Sequence, residues 1–207
     1  MSRGLFISLE GIDGVGKSTQ VERLADYFRE QGKTVVTTFE PGGTELGQEI
    51  RHLLLHRKGD VAPRAEALLF AADRAHHVAT KIRPALERGE VVITDRYLDS
   101  SVAYQGSGRD LESDDVRNLS LFAVGGLLPD LTVLLDLDAA HAMARRNKTG
   151  AEPDRLEREK SEFFENVRQA FLKLAAAEPN RFLVVDANQS AEQIQREIRA
   201  RAEELLG

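Results

Sequence analysis

The apolar run Leu5-Phe6-Ile7-Ser8-Leu9 passes through Glu10 into Gly11-Ile12-Asp13-Gly14-Val15-Gly16-Lys17-Ser18, after which Val21, Leu24, Ala25 and Phe28 recur at helical spacing. A short buried strand, a glycine loop and an amphipathic helix in that order limit the fold more than any other stretch. The octapeptide fits G-x-x-x-x-G-K-S/T at every fixed position, and in this context it predicts a cradle for nucleoside triphosphate. Glycines let successive backbone N–H groups converge on phosphate oxygens, and the helix N-terminus adds its dipole. Lys17 brings a point charge to the β- and γ-phosphates, and the Ser18 hydroxyl suits Mg²⁺. Outside that context the octapeptide would be an ordinary glycine turn.

The remaining chain continues the alternation. Strand-like runs at 34–39, 90–94, 131–137 and 181–185 are separated by helical patterns, with Gly32 and Gly89 where helices should stop. This predicts an α/β fold with a parallel sheet covered on both faces and ligands at the carboxyl ends of the strands. A length of 207 residues without a linker or repeat predicts one domain over 1–207. One basic cluster, Arg145 to Arg158 with Gly150 and Pro153 inside it, is expected to be a mobile lid at about 145–158. A net charge of −6 argues against a nucleic-acid polymer as partner. The lack of cysteine excludes disulfides and thiolate chemistry. No apolar run reaches the length of a signal peptide or a membrane span, so the expectation is a cytoplasmic protein without a membrane partner.

A triphosphate cradle leaves open where the γ-phosphate goes. The nearest string to a guanine-reading Asn-Lys-x-Asp is Asn147-Lys148-Thr149-Gly150, which lacks the aspartate and follows a helix. The third strand runs into Asp95-Arg96-Tyr97. An aspartate at that strand end can hold Mg²⁺ beside Ser18, with the arginine facing an acceptor phosphate, or the two can form a plain surface ion pair. Asp136 and Asp138 stand second as Mg²⁺ candidates because no basic residue follows them directly. Tyr97, Ser101, Tyr104 and Gln105 are expected on one helical face, equipped to hydrogen-bond a base or simply wet. A helix from about Pro63 to Leu86 is expected to bury Leu68, Ala72, Ala75 and Ala79, which puts Phe70 and Arg74 on the other side. Those two suit a stacked base and a polar reader, while a core role for Phe70 is the alternative. Glu40 in Phe39-Glu40-Pro41-Gly42-Gly43-Thr44 lies at the ligand edge, and Arg51 can reach a phosphate bidentately or stay solvated.

Together these segments resemble the thymidylate kinases of bacterial type. LEGIDGVGKSTQ, FEPGGTELGQEIR, EALLFAADRAHHV, VVITDRYLDSSVAYQG, LPDLTVLLDLD, the DRLE of the lid and VVDANQS follow in the family's order over nearly the whole chain. The resemblance implies a P-loop kinase fold with a five-stranded parallel sheet flanked by helices on both faces and a short basic lid. It implies transfer of the γ-phosphate of ATP to dTMP with Mg²⁺, giving dTDP for DNA synthesis, and a homodimer. Gly11, Ile12, Asp13, Gly14, Val15, Gly16, Lys17, Ser18 and Thr19 would hold the ATP phosphates, and Asp186, Ala187 and Gln189 would lie along adenine. Phe70 would stack on thymine, with Arg74, Ser101 and Gln105 on its polar edge, and Glu40 and Pro41 would lie beside it. Tyr104 would crowd a ribose 2′-OH, Asp13 would hold the 3′-OH region, and Arg51 and Arg96 would clamp the 5′-phosphate.

Two departures bear on the mechanism. Phe39 stands where the family usually has arginine before Glu-Pro-Gly-Gly, and Arg146 is separated from Asp154-Arg155 where the family's lid cations are closely spaced. Gly14 and Val15 offer no cation within the loop, which throws that task onto Arg146, Lys148 or Arg155. The competing readings are a kinase for another nucleoside or nucleotide, using Glu10 or Glu40 as base, and an ATP-gated switch.

Overall fold

A computed structural model describes residues 3–107, 111–148 and 154–206. Strands β1 (Phe6–Glu10), β2 (Val35–Phe39), β3 (Val91–Asp95), β4 (Leu131–Asp136) and β5 (Phe182–Asp186) form one all-parallel sheet in the order β2-β3-β1-β4-β5. Each crosses to the next through helices: α1 (Lys17–Glu30), α2 (Glu45–Leu55), α3 (Pro63–His77), α4 (Arg83–Glu87), α5 (Leu98–Ser101), α6 (Ser113–Ala123), α7 (Ala139–Asn147), α8 (Ser161–Ala177) and α9 (Ala191–Leu206). Positions 149–153 of the expected lid lie outside the described residues.

β1 is the centre of the sheet and is buried along its whole length. Leu5, Ile7 and Leu9 enter a core with Val21, Leu24 and Phe28 of α1, while Phe6 enters a second core with Ile82, Val92 and Tyr97. Cover on both faces is why β1, β3 and β4 read as apolar runs and not as alternating ones. Chain order reverses at β1, whose neighbours are β3 and β4, and a crevice opens there at the carboxyl ends. Leu9 pairs with Asp95 and Glu10 with Leu134, so the P-loop and the Asp95-Arg96 turn leave the sheet side by side.

Two expectations are corrected. The helical run is continuous from α3 through a π-helical segment, Val78–Ile82, into α4, and its buried face is Ala67, Phe70, Ala71, Arg74 and His77. Leu68 is 57 % exposed, and Ala72 and Ala79 are exposed as well. Small apolar residues surround this helix, so periodicity gave two candidate faces, and the polar network around Arg74 decided between them. Tyr97 does not share a helical face with Ser101, because it precedes α5 in extended conformation. Its hydroxyl donates to Leu127 O at 3.1 Å and its ring packs edge-on against Phe6, which makes it a core residue.

Candidate active site

The P-loop wraps toward the crevice through Gly11, Gly14 and Gly16, all at positive φ. Lys17 Nζ donates to the carbonyls of Gly11 and Ile12 at 3.2 and 3.1 Å, which folds the amine back over the loop. Burial, with the charge of Arg96 nearby, lowers its pKa. Val15 is buried beneath the loop, and Ser18 and Thr19 open the first turn of α1 at the surface. Ser18 Oγ donates to Asp95 Oδ2 at 3.1 Å. Both are hard oxygen donors at the mouth of a cleft of ≈ 960 Å³, the chemistry that Mg²⁺ takes beside phosphates and water. Asp136 is engaged by Arg168 at 2.7 and 3.0 Å, and Asp138 caps α7, so the second pair of aspartates is occupied structurally.

Asp13 faces the other way. Its Oδ1 accepts from Arg96 Nη2 at 2.7 Å and its Oδ2 accepts from the Tyr104 hydroxyl at 3.3 Å. Burial alone would raise its pKa, but Arg96 and Lys17 outweigh it and bring it down to about 2. Arg96 also stacks over the Tyr104 ring, 4.8 Å from its centroid, and sits between the P-loop cleft and a second cavity of ≈ 140 Å³. Phe70, Arg74, Ser101, Tyr104, Gln105, Glu40, Pro41 and Arg51 all line that second cavity. The residues expected around a second substrate are therefore brought together, although they come from four separate segments.

Arg74 is the hub of the cavity floor. It donates to Glu40 Oε2 at 2.6 Å, Ser101 Oγ at 3.1 Å and the Tyr97 carbonyl at 3.1 Å. The Glu40–Pro41 peptide is cis. The turn after it is stitched down by Gln48 onto Gly42 O, Arg51 onto Pro41 O, Lys81 onto Gly43 O, and Gly42 N onto Asp73. Phe39, in the usual arginine position, lies under Arg51 with the guanidinium 5.7 Å from the ring centroid. The missing cation is thus replaced by a platform for another one.

The lid cations separate. Arg146 lines the P-loop cleft and donates to Glu157 O at 2.9 Å. Arg155 turns to α2 and α3, donating to Leu54 O at 2.8 Å and pairing with Glu66. Lys148 is exposed at the C-terminal end of α7. Of the three residues expected along adenine, Ala187 is buried, its N–H bonded to Asp136 O, while Asp186 and Gln189 bond within their own loop and to α9. Arg145 donates to Ala187 O at 2.8 Å and reaches the same cleft.

The sequence pattern does not single out His77 or Asp73, and it shows Arg145 only as part of the basic lid. His77 joins Glu40 to Thr38 at 2.9 and 2.7 Å, and Asp73 holds Gly42 N at 3.1 Å. One signal was available: a histidine, an aspartate and an arginine within five helical residues are too polar for a face that also carries Phe70.

A P-loop whose hydroxyl meets a strand-end aspartate, facing a second polar cavity across an arginine, defines a P-loop nucleotide kinase. The family model described as Thymidylate kinase matches residues 9–198. A thymidylate kinase from Clavibacter sepedonicus is 65 % identical, covering 98 % of this chain and 96 % of the relative. One from Deinococcus radiodurans is 50 % identical over 99 % and 98 %. The crystal structure of thymidylate kinase from Ehrlichia chaffeensis superimposes with a TM-score of 0.78 at 32 % identity, covering 96 % of this chain and 98 % of that one. The chain belongs to the thymidylate kinase family.

Proposed function

We propose that this chain, acting as one kinase domain, transfers the γ-phosphate of ATP to the 5′-phosphate of dTMP. The observation that carries this reading is Arg96, which links the two cavities: it pairs with Asp13 of the P-loop and lines both the donor cleft and the acceptor cavity. In this reading Lys17 and the loop N–H groups hold the donor phosphates. Thymine lies against Phe70 with Arg74, Ser101 and Gln105 on its polar edge, and Arg51 and Arg96 neutralise the acceptor phosphate. Mg²⁺, held by Ser18 and Asp95, would neutralise charge on the donor phosphates. The acceptor monoester is largely ionised at neutral pH, so positioning and charge neutralisation suffice and no strong base is required.

The two candidate bases are poorly suited to that role. Glu10 and Glu40 are both buried and hydrogen-bonded, which disfavours a kinase that activates a nucleoside hydroxyl. A homodimer is supported by the large apolar side chains that α2 and α3 leave exposed, Leu46 and Leu53 seven residues apart on α2 and Leu68 on α3, since exposed apolar groups on one face mark association surfaces. Among the described residues no helix is long and apolar enough to cross a membrane, and the cytoplasm is the proposed compartment.

A coupled assay with ATP, Mg²⁺ and dTMP, dUMP, UMP or thymidine tests the reading, with dTMP expected as the preferred acceptor. Lys17→Met is expected to lower turnover at least ~100-fold with an unchanged unfolding curve. ATP consumption indifferent to every acceptor would refute the proposal.

A further inference from the structure

Arg96 has φ 71°, the only positive value outside glycine among the described residues. L-residues keep that conformation only where their surroundings impose it. Three hydrogen bonds do so: Arg96 N to Leu9 O at 2.9 Å, Thr94 Oγ1 to Arg96 O at 2.9 Å, and Tyr97 N to Glu10 Oε1 at 2.8 Å. The third ends on a side chain at the last position of β1, fully buried and adjoining the P-loop. The other Glu10 oxygen accepts from Ser100 Oγ at 2.5 Å, and Ser100 Oγ accepts from Arg96 Nη1 at 2.9 Å. One carboxyl therefore grips both the backbone beside Arg96 and, through a hydroxyl, its guanidinium. Glu10 lines neither the donor cleft nor the acceptor cavity.

We propose that Glu10 is a positioning residue for Arg96, fixing the left-handed turn and, through Ser100, the direction in which the guanidinium points. This rests on the reading that Arg96 meets the acceptor phosphate. Burial, with Asp99 nearby, raises Glu10 to about 8, so a neutral carboxyl is compatible with the site. In that form the bond to Ser100 reverses: the carboxyl donates to Ser100 Oγ while its other oxygen still accepts from Tyr97 N. Glutamine reproduces that arrangement, whereas alanine leaves Tyr97 N–H and Ser100 without their buried partner.

Steady-state kinetics with both substrates varied provide the test. Glu10→Ala is expected to lower kcat ~10- to 100-fold while KM for ATP moves less than ~2-fold. Glu10→Gln is expected to recover most of that loss. Ser100→Ala, which cuts the arm to the guanidinium and leaves the bond from Tyr97 N to Glu10 in place, is expected to lower kcat ~3- to 10-fold. Calorimetric dTMP binding supplies a readout that general loosening of the fold would not produce. Glu10→Ala should weaken dTMP in the wild-type background and have under ~2-fold effect when Arg96 is already alanine. A Glu10→Ala enzyme of normal kcat, a Glu10→Gln enzyme as damaged as Glu10→Ala, or an equal effect on dTMP binding with and without Arg96 would overturn the proposal. If Glu10→Ala does not fold, the same cycle run with Ser100→Ala decides. A wild-type enzyme inactive on dTMP would defeat the functional reading instead, and a wild-type enzyme active beside silent Glu10 and Ser100 variants defeats only the positioning role.

Discussion

Arg74 and Glu40 meet at 2.6 Å with both side chains 1 % exposed, and His77 completes the carboxylate from its other oxygen at 2.9 Å. Removing one member of such a pair leaves a buried charge uncompensated, at a cost of about 3–5 kcal/mol. Glu40→Ala is therefore expected to lose stability on that scale in urea denaturation. Burial pushes Glu40 up, but Arg74 and His77 outweigh it and hold it below its ordinary value of 4.5. A depressed carboxylate contributes stability that is complete above its unfolded pKa and disappears as pH falls through the folded one. The urea midpoint of the wild type should drop below pH 4.5 more steeply than that of Glu40→Gln, and parallel curves would contradict this role.

Asp73 has the opposite sign. Burial, with Glu40 nearby, raises it to about 6, and its Oδ2 is buried without a hydrogen-bond partner. A raised carboxylate binds its proton more tightly when folded, so stability falls as pH rises from its ordinary 3.8 toward 6 and stays low above that. Asp73→Asn keeps an acceptor for Gly42 N and removes the charge. It is expected to stabilise the protein at pH 7.5 by about 1–3 kcal/mol, with no gain at pH 4. A destabilised Asp73→Asn at pH 7.5 would count against this account.

The sheet and the donor loop were legible in the sequence because both depend on local patterns: apolar runs between helical periods, and glycines where φ is positive. The second cavity was legible only in pieces. Phe70 and Arg74 could be singled out, but the stripe chosen as their opposite, from Leu68 to Ala79, faces outward. The deciding contacts, Arg74 to Glu40 and to the Tyr97 carbonyl, span 34 and 23 residues, and no periodicity encodes them. Tyr97 shows the same limit, since its place is set by a hydrogen bond to the Leu127 carbonyl, 30 residues along the chain.

In the sequence Gly14 counts only as a loop position without a cation, and the structure adds a steric reason for the glycine. A Cβ there would lie 2.2 Å from the Ala142 carbonyl oxygen and 3.3 Å from Arg146 Cβ, at φ +87°. An arginine moved into the loop at this position cannot take over from the lid, because α7 already fills the space. Gly14→Arg is expected to cost about 2–4 kcal/mol of stability and to weaken ATP binding. The double variant with Arg146→Ala should be no more active than Arg146→Ala alone. Recovery of turnover in the double variant would refute the steric argument.

The three lid cations are separated widely enough for single substitutions to tell them apart. Arg146 is carried by α7 into the lining of the P-loop cleft, which neither Arg155 nor Lys148 lines, so under the proposed function it is the lid cation that would meet the donor phosphates. Arg155 is committed to Leu54 O and Glu66, and its neighbour Leu156 packs with Phe70 in a small core over the acceptor cavity. Its loss should loosen that cover before it touches the chemistry. Arg146→Ala is therefore expected to lower kcat ~10²- to 10³-fold with little change in KM for dTMP. Arg155→Ala should raise KM for dTMP ~5- to 20-fold with a smaller fall in kcat. Lys148→Ala, altering an exposed helix end, should stay within ~2-fold of wild type in both constants. Steady-state kinetics on the three variants check the order, and a larger kcat defect in Lys148→Ala or Arg155→Ala than in Arg146→Ala would move the cation elsewhere in the lid.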